Sequence, residues 1–471
     1  MTDRSDNGGR LAQELQELLG DADDNAISAF FAELHAADVA DCLEAIEPEN
    51  RSRIMFLLPP RKWAEAIALL DEAVRSDVLD EMTDDQVSEV LKELPADDVV
   101  DVLDELDAEV ADRVVEQMQP EQKAIVEPLR QYDEDTAGGL MNPDYVSIPA
   151  DGTVEDAVSE IRHLTPRKLN EAFYIYSVDS DGRLQGVVSP MRLLTAPPQA
   201  RVRNLLLKDV FTAYAGDDQE EVKNKFEKYD VAALPVVDDN SHMLGIITHD
   251  DVLDVAEEEA EEDMFRMAGT AAEEFAKAGI FHAASVRARW LLPCLAGTFV
   301  GVFIILLFKR GVSAEVFTVV LAFLTPIAAM GGNAGVQIST VIVRGMATND
   351  AIAACLKTAV NRELRIAVII GLGAGLFAGF GAFALVHSGV LLDDMGQRIT
   401  AEHLPLARVA AAVGTSMTLA ILISGSLAMT LPYLFRRLGI DPAIATGPLI
   451  TTSNDILSAA IYLSIALALI P

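Results

Sequence analysis

The chain has 471 residues, about half of them apolar, and a net charge of -37 from 36 Lys plus Arg against 73 Asp plus Glu. Length leaves room for roughly three domains. Acidity of this size excludes general nucleic-acid binding, because phosphate contacts need clustered Lys and Arg.

The charge is divided along the chain. Before residue 286 there are 24 Lys plus Arg against 65 Asp plus Glu; from 286 onward there are 12 against 8. An acidic soluble part therefore precedes an apolar part suited to lipid. Cys42, Cys294 and Cys355 lie far apart, so neither a disulfide framework nor a zinc site is indicated. The seven histidines are scattered, and no nucleophile and base pair or phosphate-cradling loop is present, so an enzyme is not expected. Residues 1–10 are polar and read as disordered, without the basic-then-apolar pattern of a signal peptide.

Residues 11–135 read as an acidic helical solenoid. Over 38–121 a 12-residue repeat runs without gaps, with units starting at Asp38, Asn50, Lys62, Val74, Gln86, Asp98 and Val110. The sixth and ninth residues of each unit are apolar, from Leu43 and Ile46 to Val115 and Met118, while Pro48, Pro59, Pro60, Pro95 and Pro120 fall between units. Apolar positions three apart suit a short helix, and a helix with one apolar stripe needs stacked neighbours to cover it.

Residues 136–250 open at Thr136-Ala137-Gly138-Gly139 and hold two similar α/β blocks. The first contains Tyr174–Val178, an Asp181-Gly182 turn and Leu184–Ser189; the second contains Leu234–Val237, Asp238-Asp239 and Leu244–Thr248. Each reads as helix, strand, hairpin turn, strand, helix. These blocks resemble a tandem pair of cystathionine-β-synthase-type (CBS) domains. Gly245-Ile246-Ile247-Thr248-His249-Asp250-Asp251 fits that family's adenosyl-binding pattern. The first copy has Arg192 where the ribose-binding Asp would stand, so an ATP-type ligand would rest on Thr248 and Asp251 alone.

Residues 251–285 read as an acidic linker helix. Asp251, Asp254, Glu258, Glu259, Glu262 and Asp263 share one broad face, and like charges at such spacings repel unless cations lie among them.

From 286 to the end, five spans of bilayer length are expected at 290–308, 316–343, 364–388, 406–434 and 445–470. Eight Lys and Arg fall in the flanks and loops on the side of the acidic half and four on the other, which places the N-terminal part in the cytoplasm and the C-terminus outside the cell (inner) membrane. Thr325-Pro326 is expected to interrupt the second span, ahead of Gly331-Gly332-Asn333-Ala334-Gly335-Val336-Gln337. In the last span Asp455 is the one charged side chain between Ala443 and Pro471. A carboxylate there costs several kcal/mol unless compensated, and its default reading is a substrate path.

Solenoid, CBS pair, acidic linker and five spans, with Gly447-Pro448, Thr451-Thr452 and Asp455, resemble the MgtE family of magnesium channels. The resemblance implies a homodimer embedded in lipid, with two copies of Asp455 facing across a Mg²⁺ path. Thr451, Asn454, Asn333, Gly331 and Gly332 would line that path. It also implies closure by cytoplasmic Mg²⁺ held by Asp97 and Asp98 on the solenoid, Asp218, Glu220 and Asp230 in the second CBS block, and Asp251, Asp254, Glu259, Glu262 and Asp263 on the linker. Two other readings stay open at this point. One is a carrier coupled to Na⁺ or H⁺, which the break at Pro326 would suit; the other is a membrane-anchored adenylate sensor.

Overall fold

A computed structural model describes residues 4–21, 24–55, 57–165, 168–169, 172–271, 280–347, 352–390 and 405–470. The chain forms two compact units, Met1–Glu259 and Ala260–Pro471.

In the first unit α1 (Arg4–Asp21) and α2 (Asp24–Glu33) lead into the repeat. Helix α1 begins inside the segment expected to be disordered, and buried Leu11 and Leu15 tie it to the solenoid core. The repeat forms α3 (Ala36–Glu44), α4 (Pro48–Met55), α5 (Pro60–Ala68), α6 (Glu72–Asp80), α7 (Asp84–Leu91), α8 (Ala96–Glu105), α9 (Ala108–Gln117) and α10 (Pro120–Leu129). One helix starts every twelve residues. Pro48, Pro60 and Pro120 occupy first helical positions, where a missing N–H costs nothing. Helix α3 packs on α5, α5 on α7, α7 on α9, α4 on α6 and α8 on α10, so alternate helices share a stripe. Repeat positions such as Leu43, Ile67, Leu91 and Leu103 are fully buried along it.

The two α/β blocks each carry a strand the sequence did not reveal. β1 (Ser147–Pro149) pairs in parallel with β2 (Ile175–Val178), which is antiparallel to β3 (Leu184–Val188). Helices α11 (Val154–Ile161) and α12 (Pro190–Thr195) flank that sheet. β4 (Ala213–Tyr214), β5 (Ala233–Val237) and β6 (Met243–Thr248) repeat the pattern with α13 (Gln219–Tyr229) and the linker helix α14 (His249–Ala268). The extra strands are two and three residues long, too short for an alternating pattern to show.

The Thr136–Asn142 stretch adds to the second block. Ala137 N–H bonds to the Asp217 carbonyl at 2.8 Å, Gly138 N–H to Ala215 at 2.9 Å, and Asn142 exchanges two backbone bonds with Ile246. A Cβ on Gly138 would stand 2.4 Å from the Tyr132 ring, and one on Gly139 2.5 Å from the Asp133 carbonyl oxygen. The glycine pair thus lets the chain turn tightly out of the solenoid.

The linker helix stops at Gly269, whose φ of 79° is the left-handed value that suits glycine at a helix end. Residues 272–279 of the expected linker lie outside the described residues, and 280–285 begin the next helix.

The second unit holds five helices long and apolar enough to cross a membrane: α15 (Ile280–Lys309), α16 (Ala314–Ala347), α17 (Ile352–His387), α18 (Leu406–Arg437) and α19 (Pro448–Leu469). Helix α17 lies along α18 through small residues. A Cβ on Gly375 would sit 2.2 Å from Thr418 Oγ1 and 2.5 Å from the Gly414 carbonyl oxygen. Such contacts let two backbones approach where lipid offers no hydrophobic drive. Helix α18 also packs on α16 and α19.

One expectation fails here. Pro326 lies inside an unbroken α16, and Gly331-Gly332 continues the same helix. Proline removes one N–H from a long ladder whose other bonds persist, so the helix runs through it.

Candidate cation path and acidic regulatory face

In the membrane unit, Gly447 precedes α19 and Pro448 is its first residue, so the polar run Thr451–Asp455 lies on the first two turns. The hydroxyls of Thr451 and Thr452 fold back onto the Pro448 carbonyl at 3.0 and 2.8 Å. Asn454 is only 1 % exposed; its amide donates to the Ala328 carbonyl of α16 at 3.0 Å and accepts from Ser458 at 3.2 Å. Room for it comes from Gly331, where a Cβ would fall 2.8 Å from the Asn454 amide. The Gly331 carbonyl accepts from buried Ser424 of α18 at 2.7 Å. Asn454 and Gly331 therefore clamp three helices together, and Gly332 is buried beside them.

Asp455, one residue further round, faces outward. It is exposed on the single chain and has no hydrogen bond or ion pair among the described residues. Asn333 and Gln337, one turn apart on α16, are exposed too. A carboxylate and two amides left open on apolar spans call for a polar counterpart such as water, an ion or a second copy.

In the soluble unit, Asp97 and Asp98 stand in the first turn of α8 with Asp101 a turn further on, and Asp251 lies in the first turn of α14. Burial pushes the Asp97 carboxyl well above its usual range, with Asp98 and Asp251 adding to the rise. Burial likewise raises Asp101 to about 7, assisted by Asp98 and opposed by Arg75. Asp251 is also raised to about 7 by burial, against the lowering effect of its hydrogen bonds from Thr248. Asn142 holds Asp97 by an amide bond of 3.3 Å. The solenoid and the linker helix thus bring carboxyls close enough to disfavour one another's ionisation.

Further along α14, burial raises Asp254 and takes Glu258 to about 7, where Asp254, Asp135, Glu134 and Glu72 add their repulsion. Glu259 accepts from the Gln219 amide at 2.8 Å. Asp218 caps α13 by accepting from the Glu220 N–H at 2.9 Å, and borders a polar cleft of about 590 Å³ with Asp104, Arg130 and Asp133. Asp230 closes the other end of α13 in a left-handed conformation, about 16 Å of helix away. One ion cannot reach both. In the second unit, Glu262 pairs with Arg266. Thr248 and Asp251 bond to each other at the start of α14, Thr248 N–H and Oγ1 donating to the Asp251 carboxylate at 2.9 and 2.8 Å. Among the described residues no three His, Cys, Asp or Glu side chains form a ready-made metal cage.

Comparison with known proteins matches these parts in order. A family model described as MgtE intracellular N domain covers residues 34–135, CBS domain models cover 137–198 and 202–258, and a model described as MgtE, divalent cation transporter, covers 324–465. The "Magnesium transporter MgtE" of Thermus thermophilus is 33% identical over 477 residues, spanning 97% of this chain and 98% of that one. This chain belongs to the MgtE family of magnesium transporters. The MgtE transporter of Enterococcus faecalis is also 33% identical, over 96% of this chain and 95% of its own. A crystal structure of the cytosolic domain of the Mg²⁺ channel MgtE in complex with ATP aligns with 52% of this chain and 99% of its own, at 36% identity and a TM-score of 0.48.

As in any MgtE-family protein, the function is transport of Mg²⁺ across a membrane by a multi-pass chain, and not catalysis. Three residues of this family member escaped sequence reasoning. Asp101 follows Asp97 by four on the same helix, a spacing that could have marked it. Arg266 and Asp441, which form an ion pair across 175 positions, gave no local signal.

Proposed function

We propose that this magnesium transporter is a homodimeric, passively conducting channel whose path passes Asp455, and that cytoplasmic Mg²⁺ closes it by occupying carboxylates of the soluble part. The observation that carries the proposal is the meeting of Asp97, Asp98 and Asp101 with Asp251, where burial and mutual repulsion oppose ionisation at neutral pH. A divalent cation relieves that repulsion as a proton does, and it favours whichever arrangement holds the carboxylates together. When the ion leaves, repulsion drives α8 and α14 apart. Several such positions acting together, including Asp254, Glu258, Glu259, Asp218, Glu220, Asp230, Glu262 and Asp263, would steepen the response.

The open side chains of Asp455, Asn333 and Gln337 support a path completed by a second copy. Mg²⁺ sheds water reluctantly, so facing Asp455 carboxylates would hold a largely hydrated ion through its waters. Asn454 and Gly331 act in this reading as the clamp that sets where Asp455 stands. The distribution of Lys and Arg supports a cytoplasmic N-terminal part and an outer C-terminus. Because α16 is continuous, the feature that suited a coupled carrier is gone. A nucleotide at Thr248 and Asp251 would have to share groups that the helix start already uses.

The test is Mg²⁺ flux into liposomes as Mg²⁺ on the cytoplasmic face rises from micromolar to millimolar. Wild-type flux should fall steeply, while the Asp97→Asn, Asp251→Asn double variant, which lacks both the repulsion and the ligands, should show little dependence on that Mg²⁺. Wild-type flux indifferent to that Mg²⁺ would refute the gate, and uphill flux driven by a Na⁺ or pH gradient would make the protein a carrier.

A further inference from the structure

We infer that Arg266 and Asp441 form a latch that fastens the end of the linker helix to the start of the helix bearing Asp455, and that its strength sets the Mg²⁺ concentration at which transport shuts down. The inference rests on the gating reading above and adds the element through which closure reaches α19.

Arg266 lies in the last turn of α14. The helix ends three residues later at Gly269, and Thr270 N–H closes the cap on the Phe265 carbonyl at 2.9 Å, which fixes the direction of the last turn. From this turn the guanidinium reaches Glu262, one turn back on its own helix, and Asp441. The two oxygens of Asp441 have separate tasks. Oδ1 accepts from Ala443 N–H at 2.7 Å and starts the short 3-10 turn Pro442–Ala445, while Oδ2 takes Arg266.

Beyond that turn the two backbones touch. A Cβ on Gly447 would fall 2.1 Å from the Met267 carbonyl oxygen, and one on Gly269 would fall 2.8 Å from the Pro448 ring. Glycine at both places lets the helix end seat directly on Gly447-Pro448, a turn ahead of Thr451 and two ahead of Asp455. A displacement of the linker's end is therefore handed straight to the pore-bearing helix.

The pair is suited to regulation because it is shared and half exposed. Side-chain exposures of 38 % for Arg266, 35 % for Glu262 and 23 % for Asp441 keep its strength modest and the contact reversible. Glu262 and Asp441 compete for one guanidinium. A divalent cation on Glu262 weakens its hold on Arg266 and favours the pair with Asp441, so the ion tightens the latch from the linker side.

The test uses full-length protein in liposomes, with flux recorded across a titration of cytoplasmic-face Mg²⁺. Arg266→Gln, and independently Asp441→Asn, which keeps an oxygen for Ala443 N–H, should raise the half-inhibiting Mg²⁺ about three- to tenfold. Flux at micromolar Mg²⁺ should be unchanged, which also reports correct folding. Arg266→Lys, retaining the charge, should shift less, and the exchanged pair Arg266→Asp with Asp441→Arg should recover part of the wild-type sensitivity. Inhibited wild type with both single variants at the wild-type midpoint would overturn the latch alone, as would an exchanged pair no better than the single changes. Uninhibited wild type would instead overturn the gating reading on which the latch stands.

Discussion

Replacing Asp251 by Asn should stabilise the soluble unit in alkaline, Mg²⁺-free solution. Asp251 is half-buried, and burial raises its carboxyl from the ordinary 3.8 to about 7. That rise corresponds to a ceiling of about 4 kcal/mol favouring the protonated form. Solvent relaxation around a half-buried group reduces this to an expected ~1–2 kcal/mol. The sign follows from linkage. A carboxyl whose folded pKa is raised contributes its full stability below about pH 4, and that contribution is lost as pH rises through about 7. Asn keeps an oxygen for the Thr248 bonds and carries no charge, so it escapes the loss. With ~2–4 °C per kcal/mol for a unit of this size, Asp251→Asn should raise Tm by about 2–8 °C at pH 8 in chelator and leave it nearly unchanged at pH 4. Mg²⁺ at pH 8 should raise the wild-type Tm more than that of the variant. Buried Trp63 lies in the solenoid, so a Trp290→Phe background leaves one of the chain's two tryptophans to report this unit by fluorescence. A lower Tm for Asp251→Asn at pH 8, or the same difference at both pH values, would refute the reasoning.

Other outcomes follow from the same contacts. Asn454→Ala should cost about 1 kcal/mol of membrane-unit stability by removing the bond to the Ala328 carbonyl, while folded protein still conducts; conduction abolished in well-folded protein would show instead that Asn454 lines the path. Gly375→Val should cost upward of ~2 kcal/mol and yield little monodisperse protein in size-exclusion chromatography, because its branches would overlap Thr418 and the Gly414 carbonyl. Arg75→Met should lower Tm by an amount equivalent to about 3 kcal/mol, since it removes the cation paired at 2.5 Å with Glu105, which is 7 % exposed. Thermal scans of Arg75→Met and of the Arg75→Met, Glu105→Leu pair would check this, with the double change expected to recover most of the loss.

The solenoid was legible because its rule is local. Proline at the first helical position and apolar residues at fixed places repeat every twelve residues, and the helices start on that period from Ala36 to Pro120. The five spans were legible for a similar reason, since length and apolarity decide them. Strands β1 and β4 were not, because two or three residues carry no alternation. Pro326 misled because local propensity overstates its effect in a long helix braced by neighbours. Asn454 and Asp455 show the limit most clearly. They are adjacent and both polar, yet one is buried against α16 and the other open, and only the packing of Gly331 and Ser424 decides which. The acidic face was visible as a charge pattern, whereas the approach of Asp101 to Asp98 and Asp251 depends on how the solenoid and the second CBS block fit together. Arg266 and Asp441 needed the folded membrane unit to meet at all.

The most direct test of the whole account is ²⁸Mg²⁺ or Mg²⁺-indicator flux into liposomes carrying wild type or Asp455→Ala, at micromolar and at millimolar Mg²⁺ on the cytoplasmic face. The account predicts robust wild-type flux at micromolar Mg²⁺, strong suppression at millimolar, and little flux through folded Asp455→Ala at either. Asp455→Ala flux equal to wild type, or wild-type flux that ignores the cytoplasmic Mg²⁺, would contradict it.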